Sequence, residues 1–479
     1  MNAKKAVVYL RWMMTGCLLS QATMSCGSDD DTSSGQNENR DDTENNGDVE
    51  ISTDDVLHCP GEVNEKKGEI FCIVPAGELT ADSVENEAQL IWKKGLTYVL
   101  DGKVFIGDDA EETVLTIEPG ALILGETVTD LDNSASLIIQ RRSKIVAEGT
   151  ADDPIVFTSA RAVGERANDD WGGIVINGRA PINSCGSGSG VCEAAGEGET
   201  GQFGGDDPDD DSGVFRYVRI EFSGKRLDPT KEFNGLTLQG VGRGTEIHHV
   251  QIHKAGDDAI EFFGGTAEVH HMVLSGTGDD NFDWTHGWQG KAQFIIATTI
   301  GNVSGECGIE ADNFETNFDY TPRSNPTLYN FSFLGPRTSQ VMLFRRGTAG
   351  TFVNFLSLAS DRCLDIADKA TWDMAKSGAL TMHHSVFVAD DCFEDDDLEG
   401  LDNLESEWWL QEEGNRVVAD PGVEKVDAAS PDYRLKADSP LWEGAGAIPE
   451  GDDFFEAVDF IGAMGDDDWT AGWTDYPIN

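Results

Sequence analysis

Across 479 residues, 88 Asp and Glu stand against 34 Lys and Arg, a formal net charge of −54. Such a surface repels phosphate backbones and anionic membranes, which excludes nucleic acid as a partner and leaves a membrane only an anchor to hold the chain by. It permits cation binding, although a solvated acidic face accounts for most of the charge, and the length is ample for one large repetitive domain.

At the start, Lys4 and Lys5 precede two apolar runs, Ala6 to Leu10 and Trp12 to Leu19, split by Arg11. That is the layout of an export signal over residues 1–25. Ser25-Cys26-Gly27 then resembles the end of a bacterial lipoprotein signal, with Thr23-Met24-Ser25 in place of the preferred Leu-Ala-Gly type. The resemblance implies lipidation of Cys26 and a place on the bacterial outer membrane or cell surface. No later stretch approaches the roughly 18 apolar residues of a membrane span. Residues 26–55 are Ser, Asn, Asp, Glu and Gly with almost nothing apolar, so an acidic, disordered linker is expected.

An exported chain can hold disulfides. With Cys17 removed and Cys26 lipidated, Cys59 with Cys72 and Cys185 with Cys192 are natural local pairs across short loops. Cys363 and Cys392 fall at one repeat position and are expected to pair, leaving Cys307 free. Residues 56–92, with mild helical character from Ala81 to Trp92, read as a cap over the first coil, where pairing edges would otherwise be open.

From 93 to 440 the chain reads as short apolar strands between Gly, Asp and Pro turns. Ile247-His-His-Val-Gln-Ile-His-Lys-Ala-Gly-Asp-Asp-Ala-Ile-Glu-Phe-Phe-Gly-Gly returns 22 positions later as Val269-His-His-Met-Val-Leu-Ser-Gly-Thr-Gly-Asp-Asp-Asn-Phe-Asp-Trp-Thr-His-Gly, without a gap. A period in the twenties built from strand-length segments predicts an all-β, right-handed parallel β-helix solenoid. Residues 177–212 break the pattern and read as a long loop insertion, and 441–479 read as a C-terminal tail whose aromatics pack on or cap the coils. Several motifs also carry a likeness: Trp171-Gly-Gly-Ile-Val-Ile-Asn-Gly-Arg-Ala-Pro-Ile-Asn183, Arg219-Ile-Glu-Phe-Ser-Gly224, Asn234-Gly-Leu-Thr-Leu-Gln-Gly-Val-Gly-Arg-Gly-Thr245, and Ile461-Gly-Ala with Trp469-Thr and Gly-Trp473. Over residues 90–479 the chain resembles an uncharacterised family of secreted or surface β-helix lipoproteins of marine and soil bacteria, with a pectate-lyase-like fold. The resemblance implies a fold and a compartment, and no reaction.

Aligned on the acidic turn, the repeats form columns. One holds Asp257, Asp279, Glu306, Ser339, Asp361 and Asp390; another holds Glu261, Asp283, Glu310, Leu343, Asp365 and Glu394. Coils stack at about 4.8 Å, where like charges repel by about 1 kcal/mol per pair in water and about 3 at an effective dielectric of 20. Glu261, Asp283 and Glu310, with Asp312 beside them, are therefore expected to be screened, partly protonated or bridged by a hard cation, for which calcium is the natural choice. The competing reading is turn chemistry alone, since Gly-Asp-Asp suits a tight turn.

Asp257, Asp258, Asp279 and Asp280, with Trp284 and Trp288 (and Phe262 and Phe263) as a sugar platform, are the candidate ligand-binding residues; ordinary packing is the alternative for the aromatics. Arg345 and Arg346 follow the acidic column and are the candidate catalytic bases, in an arrangement resembling that of β-helix pectate lyases. The doublets His248-His249, His270-His271 and His383-His384 alternate in and out along a strand, so at most one of each lines a common face. A transition-metal column is correspondingly disfavoured. The first functional expectation is a surface-tethered monomer that binds an extracellular carbohydrate or surface protein with calcium. The second is a calcium-dependent polysaccharide lyase or glycoside hydrolase, and the third a non-catalytic envelope or adhesive scaffold.

Overall fold

A computed structural model describes residues 57–66, 69–80, 83, 90–127, 133–188, 190–228, 231–299, 306–335, 340–358, 362–388, 392–393, 404–426 and 430–479. The expected signal at 1–25, Cys26, the linker at 26–55, most of the helical stretch at 81–89, and column members Ser339, Asp361, Asp390 and Glu394 lie outside them.

One sheet of 26 strands winds through the molecule, parallel throughout except for its opening hairpin, Glu62–Lys66 on Glu69–Leu79. Each coil contributes to three ladders. The first face stacks Val114–Ile117, Lys144–Glu148, 213–216, 246–248, 268–270, 291–293 and onward to Leu380–His383. A second face carries 218–221, 250–253, 272–275 and 295–298, and a third carries Gly173–Asn177, Leu236–Gln239, Ile260–Phe263, Phe282–Thr285 and Ile309–Ala311. This is a right-handed parallel β-helix, the sense that right-twisted strands favour in a parallel crossover. The 22-residue repeat sets register directly, because His248 lies on His270 and Glu261 on Asp283. Coiling starts earlier than expected: Glu69–Leu79 already pairs parallel with Thr97–Ile106, and Leu90–Trp92 is a ladder strand.

The bend from first to second face is made by one residue per coil in the left-handed region: Tyr217, His249, His271, Phe294, Asn330, Asn354 and His384, at φ 48 to 64. A non-glycine residue there is held against its own preference and needs tertiary support. Its effect is to break the strict in–out alternation of the strand.

Alternation on the third face puts Ile260, Phe262, Phe282 and Trp284 inside and Glu261 and Asp283 outside. Phe262, Trp284 and Trp288 are fully buried, with Trp288 stacked on Phe262 at 4.1 Å. Trp284 donates its indole N–H to Thr348 at 3.1 Å and Trp288 to the Ala267 carbonyl at 3.2 Å. The expected sugar platform at Trp284 and Trp288 is therefore corrected: these rings are core. All three expected disulfides form, Cys59–Cys72, Cys185–Cys192 and Cys363–Cys392, and Cys307 is buried and takes part in none of them.

The 177–212 insertion folds back onto the third face. Lys103 donates to the Gly198 carbonyl at 2.6 Å, Gln140 and Asn177 donate to that of Thr200, and Phe203 meets Phe263 edge-on. The tail packs along the second face, with Ile461, Met464 and Trp473 buried against Val273, Ile296 and Leu356. Because Trp284 fills the coil interior, Trp284→Ala should cost about 3–5 kcal/mol, read as a lower urea midpoint.

Candidate functional site

The third face presents its acidic file outward: Thr237, Glu261, Asp283, Glu310, Leu343 and Asp365 are successive ladder partners. Glu261 accepts from Asn234 Nδ2 at 2.6 Å. Asp283 is only 9% exposed, and its Oδ1 is buried with no hydrogen-bond partner among the described residues. Burial and then the charges of Glu261 and Glu310 drive the Asp283 carboxyl well above its ordinary range. Glu261 is raised in the same direction, chiefly by burial, and Glu310 is pushed up to about 8.

The turn carboxylates divide into two kinds. Asp258 accepts the backbone N–H of Asp280 at 2.9 Å, and Asp280 accepts that of Cys307 at 2.6 Å, so each ties its turn to the next coil. Both are buried, as is Asp257; these three act as interior oxygen donors and not as surface contacts for a ligand. Burial and a carboxyl–carboxyl hydrogen bond to Glu232 raise Asp257 to about 10, while Asp279, less buried and beside Asp280 and Glu306, rises to about 7. Asp258 also offers an oxygen to the file: one ligand atom from each of Asp258, Glu261 and Asp283 lies within 4.8 Å of the others.

Arg345 and Arg346 come to the lower end of this file, but as counter-charges. Arg345 pairs with Glu310 and, at 2.8 Å, with Asp312, and Arg346 reaches Asp312 at 2.6 Å. Burial opposes the charge on Arg345, yet the hydrogen bond and charge of Asp312, then Glu310, outweigh it and hold the guanidinium above its ordinary value. A base must first lose its proton, so the catalytic role expected of Arg345 is corrected to neutralisation, and Arg346 shares it. Of the expected metal ligands, Glu261 and Asp283 stay available, whereas Glu310 and Asp312 are engaged by arginine.

Sequence reasoning missed Asp258 as a member of the oxygen set, and Asn234, Glu197 and Glu232 around it. Glu197 comes from the insertion and Glu232 from the hairpin Arg226–Asp228 with Lys231–Glu232. They line a narrow crevice with Thr200, Asn234, Gln239 and Phe263. Asn234 stands one coil before Glu261 and was open to the repeat alignment, but nothing local in the sequence marks Glu197 or Glu232. The crevice leaves no free space for even a water-sized sphere, so it does not take a sugar ring.

Comparison with known proteins agrees with the fold. Residues 83–445 match the family model described as a pectate-lyase-like beta helix domain, and the chain belongs to that family. No curated protein and no solved structure matches it.

Raised carboxyl values mean that the folded protein holds protons that the unfolded chain has released. The stability that these carboxyls contribute to the ion-free protein is therefore full below about pH 4 and is lost as pH rises toward the raised values. Melting in EDTA should fall across that window, and the Glu261→Gln/Asp283→Asn variant should flatten the slope. Buried histidines contribute the opposite slope below about pH 6.5, so the wild-type-minus-variant difference is the quantity to measure.

Proposed function

We propose that this β-helix protein is exported, tethered at Cys26, and binds an anionic extracellular carbohydrate or surface partner through a hard cation held by Asp258, Glu261 and Asp283. The observation that carries this reading is the buried, unpartnered Asp283 Oδ1 between two further carboxylates. A buried carboxylate oxygen without a donor is costly, and the arginines that balance the file reach only Glu310 and Asp312. Calcium takes about 6 to 8 oxygens in irregular geometry. Three carboxylates, with the Asn234 amide oxygen if that side chain turns over, leave coordination positions for a ligand carboxylate or hydroxyl. Membership of a pectate-lyase-like family supports a polysaccharide-related role in coarse terms. The lyase alternative is less well supported, because Arg345 and Arg346 are both committed to carboxylates.

Calcium added to EDTA-treated protein should stabilise it by about 3 kcal/mol at a hundredfold excess over Kd, seen as a higher melting temperature. Asp283→Asn should lose most of that gain. Retention on polygalacturonate beads should need calcium and reverse with EDTA. A calcium shift that is missing, or unchanged in Asp283→Asn, would remove the ion from the reading and leave an exported scaffold.

A further inference from the structure

Four imidazoles meet at the corner between the first and second faces. His248 and His270 end first-face strands, while His249 and His271 occupy the left-handed bend at φ 52 and 55. For His248-His249 and His270-His271 the bend overturns the expectation that only one ring of a doublet can line a face, since both rings of each touch. His248 stacks on His270 at 4.7 Å and 11°, and His249 on His271 at 4.6 Å and 4°. Within each coil the two Nδ1 atoms are 2.7 Å apart, a separation that requires a shared proton.

Glu246 settles which nitrogen holds the proton. Its Oε1 lies 3.0 Å from His248 Nε2, so His248 donates from Nε2 and keeps a lone pair on Nδ1, toward which His249 Nδ1 donates. Glu246 is itself fixed by Arg216 at 3.0 Å. A carboxylate orienting one imidazole nitrogen while the other faces inward is the outer-shell arrangement of metal-bound histidine. The three rings are half-buried at this corner. Trp469 and Trp473 stand edge-on to His249 and shield this corner with the tail.

We propose that His248, His249 and His270 form a site for a borderline divalent transition ion, zinc or copper(II). One ring nitrogen from each lies within 4.8 Å of the others, and neutral imidazole is the donor these ions favour. The ion replaces the proton between His248 and His249. That proton passes to His249 Nε2, so the rings lose no net proton, and small ring rotations set the lone pairs about 2.0–2.1 Å from the ion. His270, one coil on, supplies the third nitrogen. Its ligands are nitrogen and lie on another corner of the coil, so this site is independent of the oxygen site on the third face.

The test titrates EDTA-stripped protein with copper(II), followed by electron paramagnetic resonance, and with zinc, followed by calorimetry, both in saturating calcium. One equivalent should bind with a multi-nitrogen copper signature. His248→Gln/His270→Gln should lower affinity at least a hundredfold, and Glu246→Gln by about tenfold with every ligand intact. His248→Gln alone, whose side chain is partly exposed, serves if the double variant does not fold. Absence of stoichiometric binding, or an unchanged copper spectrum and affinity in the histidine variants, overturns the proposal.

Discussion

In-register parallel stacking sets each residue on its counterpart one strand spacing away, about 4.8 Å. For apolar side chains this adds burial to burial, and Phe262 on Trp284 or Ile252 on Leu274 fill the coil interior as a result. For charged side chains it forces like onto like. A carboxylate column therefore needs something else to be tolerable, and much of the chemistry of the third face is a response to that need. Arg345 takes up Glu310 and Asp312, backbone N–H groups take up Asp258 and Asp280, and Asn234 takes up Glu261. Asp283 is what the protein's own groups leave over.

The histidine corner meets the same constraint by a different route. Imidazoles can shed their charge near neutrality, so repetition costs them little, and neutral rings one coil apart gain from stacking as carboxylates cannot. Neutrality also leaves lone pairs. One fold thus holds two repeated donor sets of opposite character, oxygen on a flat face and nitrogen on a bend. Each is produced by repeating a short phrase of sequence.

Much of this was open to reading in the chain itself. The gapless 22-residue match fixed which residues would be ladder partners, and Glu261, Asp283 and Glu310 stand in file as that match requires. Strand parity also bore on the tryptophans: Glu261 and Phe262 are neighbours, as are Asp283 and Trp284, so one of each pair had to turn inward, and the aromatic did. Less legible was whatever depends on a single backbone angle or on distant chain. A left-handed residue inside an eight-residue strand-like run leaves no compositional trace when it is histidine or phenylalanine, so both rings of His248-His249 on one side could not be foreseen. Nor could the landing of Glu197 and Glu232 beside Asn234, since that depends on how an irregular insertion and a hairpin drape over the coils. Arginine following an acidic column reads as a base in the sequence, and its pairing with Glu310 and Asp312 makes it a counter-charge instead.

The returning tail changes what kind of polymer this is. A stack of coils that touch only their neighbours should fray from either end, each coil melting nearly on its own. Here Gly446 and Gly462 meet Asn354, and Ala463 bonds Ser332. Further back along the rod, Glu456 pairs with Gln293 and Asp475 with Gln251, and the Asn479 carbonyl accepts from Gly164. Coils far apart along the axis are thereby clasped by one segment, as boards are by a batten. Loosening at the far end cannot advance without stripping that clasp, so the rod behaves as a single cooperative body and presents a pulling force or a protease with one large barrier in place of many small ones.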